Sequence, residues 1–134
     1  MTGAAKAQPI AAPTPASDVL WWALTVNTTG WDYVDEGQGA LVLAKTANPS
    51  VVDGKMRRWI RYEFKTPNAP GGPQSMVTLF EFDCDGGKDR SLQSTSYYGP
   101  NMSGQAVTTS NTDLWLYPTP DTLGESAFKY SCTK

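Results

Sequence analysis

The 134-residue chain has no histidine and only two cysteines, Cys84 and Cys132. Without imidazole, no Ser-His-Asp or Cys-His relay can form, and the commonest zinc and haem ligand is missing. The cysteines lack CxxC spacing, which leaves no basis for a soft-metal centre. Charged residues make up only 18%, and the net charge of -2 gives no long-range attraction to phosphate backbones or anionic lipid heads. Nucleic acid is therefore not expected as a partner. No run approaches the ~20 apolar residues needed for a transmembrane segment.

What is present is a core-forming composition. Hydrophobic residues reach 40%, with 5 Trp, 6 Tyr and 4 Phe, enough to offset the entropy of ordering one domain of this length. Folding without a cofactor is expected. Twelve Gly and ten Pro punctuate the chain, and helical periodicity is missing until its end, which favours a sheet protein with many turns.

Residues 1–17, rich in Ala, Pro and Thr, read as a flexible lead-in left after signal-peptide processing, and the domain as residues 18–134. Ala5-Lys6-Ala7 fits the small-x-small pattern of a signal-peptidase site. With the paired cysteines, it points to an extracytoplasmic protein of the periplasm, the outer surface or the medium. Asn27-Thr28-Thr29 and Asn101-Met102-Ser103 are glycosylation sequons, which matter only in a eukaryotic secretory route.

The run from Val19 to Val26 reads as a strand, turning at Asn27 to Gly30 into a second strand from Trp31 to Asp35, a first hairpin. A third strand is expected over Ala40 to Lys45, followed by a loop through Ser50 and Gly54. From Lys55 to Lys65 the chain alternates: Met56, Arg58, Ile60, Tyr62 and Phe64 share one face, and Arg57, Trp59, Arg61, Glu63 and Lys65 the other. Pro67 to Pro73 reads as a loop. Met76 to Cys84 places Phe80, Phe82 and Cys84 on one face and Glu81 and Asp83 on the other. Asp85-Gly86-Gly87 then signals a hairpin returning as Lys88 to Tyr98. Further strands are expected near Gln105 to Thr109 and Leu114 to Tyr117.

The last segment changes period. Thr122 and Glu125 form a capping box, and Leu123, Ala127, Phe128, Tyr130 and Cys132 an apolar helix side. The expected fold is thus mainly β within the α+β class: an antiparallel sheet of about six strands with a C-terminal α-helix packed on one face. If Cys84 lies on the apolar sheet face and Cys132 on the apolar helix face, a disulfide staples the two.

Glu81, Asp83 and Asp85 are the carboxylates available for acid-base chemistry, and Asp83, Asp85 and Asp89 those that could line a calcium loop. Alternation with Phe80 and Phe82 explains Glu81 and Asp83 as a solvated sheet face, and a hairpin explains Asp85-Gly86-Gly87. No catalytic or metal residue is assigned. The candidate binding patch is Arg57, Trp59, Arg61 and Lys65 with Tyr97 and Tyr98, since Arg and aromatic residues are enriched at interfaces.

Several of these pieces occur in a recognisable order: Tyr33-Val34-Asp35, Trp59-Ile60-Arg61, Glu81-Phe82-Asp83-Cys84-Asp85-Gly86-Gly87, Arg90-Ser91-Leu92, Ser96-Tyr97 and a terminal Glu125 to Cys132 segment. From about Leu20 to Cys132 the chain resembles the surface-adhesin protein E-like domain of Gram-negative bacteria. The resemblance implies export, an antiparallel sheet with a C-terminal helix, and a disulfide between Cys84 and Cys132. It also implies a non-catalytic, adhesin-like module with a protein partner, a host extracellular-matrix or envelope protein. A periplasmic inhibitor of a hydrolase and a structural accessory protein of the envelope are the alternatives, and homodimer formation is left open.

Overall fold

The computed structural model describes residues 22–67, 69–110 and 114–133. The lead-in assigned to residues 1–17 and the proposed domain start lie outside them. Seven strands form one antiparallel sheet: β1 Trp31–Gly37, β2 Ala40–Lys45, β3 Ser50–Val52, β4 Lys55–Phe64, β5 Ser75–Asp83, β6 Lys88–Gly99 and β7 Ser103–Ser110. The spatial order is β1-β2-β4-β5-β6-β7, with β3 pairing β4 beyond the end of β2. A C-terminal helix, α1, Leu123–Thr133, follows the sheet.

The first hairpin is not the expected one. Trp22 and Ala23 are helical, and Leu24 to Val26 form a turn in which the amides of Thr25 and Val26 donate to the carbonyls of Trp22 and Ala23. A short apolar run suits a buried helical turn as well as a strand, and here Val26 packs with Trp22 and Ala23 against Leu41 and Leu43. The first hairpin is instead β1 with β2, joined at Gln38-Gly39, both with positive φ (52° and 77°). That is the geometry a two-residue turn needs to match strand twist. The region read as loop around Ser50 holds the three-residue β3, and Leu116 contributes a single bridge to Asp89 rather than a strand.

The alternation expected for β4 and β5 is present. Ile60 and Phe82 face α1 and form the main core with Val42, Ala44 and Ala127. Phe82 meets Phe128 edge-on, with ring centroids 5.9 Å apart. The helix start is capped as expected in kind: the Thr122 hydroxyl accepts the Glu125 amide at 3.2 Å. The Glu125 carboxylate reaches back to the Asp121 amide at 3.0 Å.

Three ties hold α1 on the sheet besides packing. Cys84 and Cys132 are disulfide-bonded with Cα atoms 5.6 Å apart. The Tyr130 hydroxyl donates to Asp32 at 2.8 Å, and the Ser126 hydroxyl to Asp35. Both aspartates sit on β1, so the helix bridges from the first strand to the end of β5.

Candidate functional site

The sheet face away from α1 is the one that Arg57, Arg61 and Glu63 of β4 occupy, while Arg58 lies on the α1 side against Tyr130. That outer face was expected to be solvated, and over much of its area it is not. Arg61 is 1% and Glu63 0% exposed, and they pair at 2.8 Å between Nε and Oε2. The segment before β1 lies over this pair: Arg61 donates to the Asn27 carbonyl at 2.9 Å and its guanidinium lies 5.5 Å from the Trp31 ring. The β6-β7 turn closes the other side, with Asn101 accepting from Arg61 at 3.0 Å and giving its amide to Glu63 at 2.9 Å.

That turn holds Asn101 and Met102 at φ of 56° and 58°, a left-handed conformation unfavourable for side chains with Cβ. Hydrogen bonds from the Asn101 amide to Glu63 and from the Met102 amide to the Ser75 hydroxyl fix it. Arg61 is thus a structural centre and is not presented to solvent, so it does not belong to an exposed patch.

Trp59 and Arg57 stand two and four residues back from Arg61 along the same face. Arg57 is opposite Glu81, and Arg90 is opposite Glu81 on its other side. Glu81, expected on a solvated face, is 2% exposed because both arginines close over it. Arg57 Nε donates to one carboxylate oxygen at 2.9 Å and Arg90 Nε to the other at 2.9 Å. Burial alone would raise the pKa of Glu81, but these two hydrogen bonds hold it below the usual carboxylate value.

Trp115 continues the row, its ring 4.6 Å from the Arg90 guanidinium and 5.7 Å from the Lys88 ammonium. Trp59, Arg57, Glu81, Arg90 and Trp115 therefore form one strip across β4, β5 and β6. The carboxylate anchors it from below, and the cations and rings face outward.

Of the other candidate patch residues, Lys65 lies just past β4 and is exposed, its amide donating to the Gly39 carbonyl at 2.8 Å. Tyr97 pairs with Ser75 and shares the face of the strip, whereas Tyr98, 48% exposed, follows it and points to the opposite face. The structure thus brings together Arg57 and Trp59, adds Arg90, Lys88 and Trp115, and separates them from Lys65 and Tyr98. Arg90 was legible by counting back from the Asp85-Gly86 turn to its partner Glu81. Trp115 carried no such signal.

Beside the strip a cleft of about 260 Å³ opens where the chain leaves β2 and returns as β3, with Asn48, Ser50, Arg57, Arg58, Trp59 and Leu79 among its walls. Among the described residues, no three His, Cys, Asp or Glu side chains gather as metal ligands. Asp83 instead accepts the Gly86 amide at 2.9 Å within the β5-β6 turn.

The family model for surface-adhesin protein E matches residues 31–133. Two crystal structures of Haemophilus influenzae protein E are similar in fold. Crystal form II superposes with a TM-score of 0.61 at 13% identity, covering 81% of this chain and 91% of the other. The structure from a non-typeable strain gives 0.55 at 13% identity, covering 81% and 79%. No curated protein matches the chain in sequence.

Proposed function

This chain belongs to the surface-adhesin protein E family, and from that premise we propose that it is an extracytoplasmic, adhesin-like module that binds a protein partner and performs no catalysis. The partner class is a host extracellular-matrix or envelope protein. The Cys84–Cys132 bond supports placement outside the cytoplasm, since disulfides persist in oxidising compartments.

One observation carries the choice of surface: the strip of Trp59, Arg57, Arg90 and Trp115, whose two arginines are held in place by the buried Glu81. Interfaces concentrate their energy in Trp and Arg, and a side chain already fixed loses less entropy on binding. The ion pairs lend the strip rigidity that isolated surface arginines lack.

The test is binding of the purified chain to immobilised matrix proteins, comparing wild type with W59A and W115A. Each tryptophan variant should weaken capture by about tenfold or more, a hot-spot effect of ~2 kcal/mol, while circular dichroism stays unchanged. Equal capture by both variants would sink the strip as the binding surface. Capture of a periplasmic hydrolase with loss of its activity would instead favour the inhibitor reading.

A second surface supports self-association. All eight residues of β7 are exposed, and the strand has no charge or proline along its edge, the usual guards against pairing with another strand. Concentration-dependent mass that V107K abolishes would favour a homodimer through this edge. A monomer at all concentrations would remove it.

A further inference from the structure

Arg57 bonds Glu81 through Nε alone, and among the described residues its two terminal nitrogens make no hydrogen bond. Glu81 thus fixes the guanidinium fork without satisfying it, and the fork stands at the wall of the cleft beside β3. Lys45 stands at the same wall. It follows Ala44, the partner of Ile60, so its side chain lies on the outer face of the sheet beside Trp59. Its ammonium rests 5.0 Å from the Trp31 ring and has no carboxylate partner among the described residues.

Trp59 lies between these two cations, beside Lys45 across the sheet and two residues from Arg57 along β4. Its partner on β5 is Leu79, and the two form an apolar floor. No acidic residue lines the cleft. Arg58 belongs to the same strand but turns its guanidinium to the helix side against Tyr130 and takes no part. The volume of about 260 Å³ holds one side chain, not a folded segment or a polymer.

We propose that this cleft receives the anchor of the strip's protein partner, a single Asp or Glu side chain whose carboxylate sits between Arg57 and Lys45 and whose methylenes lie on Trp59 and Leu79. The inference rests on the strip being the binding surface and adds the chemistry that the partner presents to it. A planar fork takes a carboxylate through two parallel hydrogen bonds, and a fork already held by Glu81 loses little freedom in doing so. The apolar floor keeps water from the pair, which strengthens it. A sulfated polysaccharide draws on a row of unpaired cations, whereas the cleft offers one point of attachment in a chain of net charge -2.

The test titrates the isotope-labelled full chain with the capped tripeptides Ala-Glu-Ala, Ala-Asp-Ala and Ala-Gln-Ala and with N-acetylglucosamine 6-sulfate, following the indole NMR signals. Saturable movement of the Trp59 indole with at least one acidic peptide, and none with the glutamine peptide, is expected, and R57Q should remove it. In capture of immobilised matrix proteins, R57Q and K45E should each weaken binding about tenfold, while K65E, the same reversal away from the cleft, leaves it within about twofold. No movement with either acidic peptide up to about 20 mM would overturn the proposal, as would equal movement with the glutamine peptide or an unchanged response in R57Q. Movement with the sulfated sugar alone would overturn it in favour of a sulfated glycan. The strip is judged separately. Capture lost in W59A and W115A, with an indole that ignores both acids, keeps the strip and discards the carboxylate anchor. An indole response with undiminished capture in W59A discards the strip as the capture surface while the acid-binding cleft stands.

Discussion

Arg61 and Glu63 are two residues apart on β4, on the same face, and joined at 2.8 Å with each side chain only 1% exposed. Their remaining hydrogen-bonding groups are spent on Asn27 and Asn101, in segments from opposite ends of the sequence. Removing one charge strands the other, buried and unpaired. Glu63→Ala should therefore cost about 3–5 kcal/mol, seen in urea unfolding, and should release the strained turn at Asn101 and Met102. The double replacement R61M/E63L should cost clearly less than the single one, since it leaves no unpaired charge. If the two cost the same, the pair is not acting as a unit.

The staple between Cys84 and Cys132 acts on the unfolded chain. Their separation of 48 residues makes the bond worth about 4 kcal/mol in the chain-entropy model. Reduction should lower the melting temperature by roughly 10–20 °C, read by calorimetry with and without reductant. A shift below a few degrees would mean that Phe128, Tyr130 and Ser126 hold α1 unaided.

The strands that alternate were legible in the sequence, as were the β5-β6 hairpin, the capped helix and the staple. Each is written in local chemistry: a period of two, Asp-Gly-Gly, Thr-x-x-Glu. The segment before β1 was not, because the apolar run ending at Val26 fits a strand or a buried helical turn equally well. Nor was the burial of Arg61, Glu63 and Glu81. Whether a charged strand face meets water depends on what lies over it, and the covers here are Asn27, Asn101 and the neighbouring arginines, none adjacent in sequence. The same holds for the candidate site. Arg57 and Trp59 were found from their own strand, but Trp115 joins them only through the folded position of a segment without periodicity.

Glu81 should behave as the counter-ion of the strip. Its folded pKa is lowered, so its pairing with Arg57 and Arg90 contributes stability above the ordinary carboxylate pKa and loses it as pH falls through the lowered value. E81Q should destabilise the chain by about 3 kcal/mol at pH 7 and progressively less as the pH falls through the lowered value and the wild-type carboxyl takes up its proton. It should also free both arginines, so partner binding through the strip should weaken although neither Arg57 nor Trp59 is changed. Undiminished binding in a folded E81Q would mean that rigidity of the arginines is irrelevant there.

Asp89 works in the other direction. Burial beside Phe82 raises its pKa from 3.8 to about 6. A raised carboxyl binds its proton more tightly in the folded state, so it favours folding below pH 3.8 relative to neutral pH. That advantage is lost as pH rises through about 6, and above it the ionised carboxylate is a burden. The neutral isostere carries no such burden, and the backbone pairing of Asp89 with Leu116 does not use the side chain. D89N should therefore stabilise the chain at pH 7.5 by on the order of 1–2 kcal/mol, a value reduced from the full shift because the group is only half buried. The gain should vanish near pH 4. Urea unfolding of both proteins at the two pH values measures it, and an equal gain at both would show that the effect is packing and not charge.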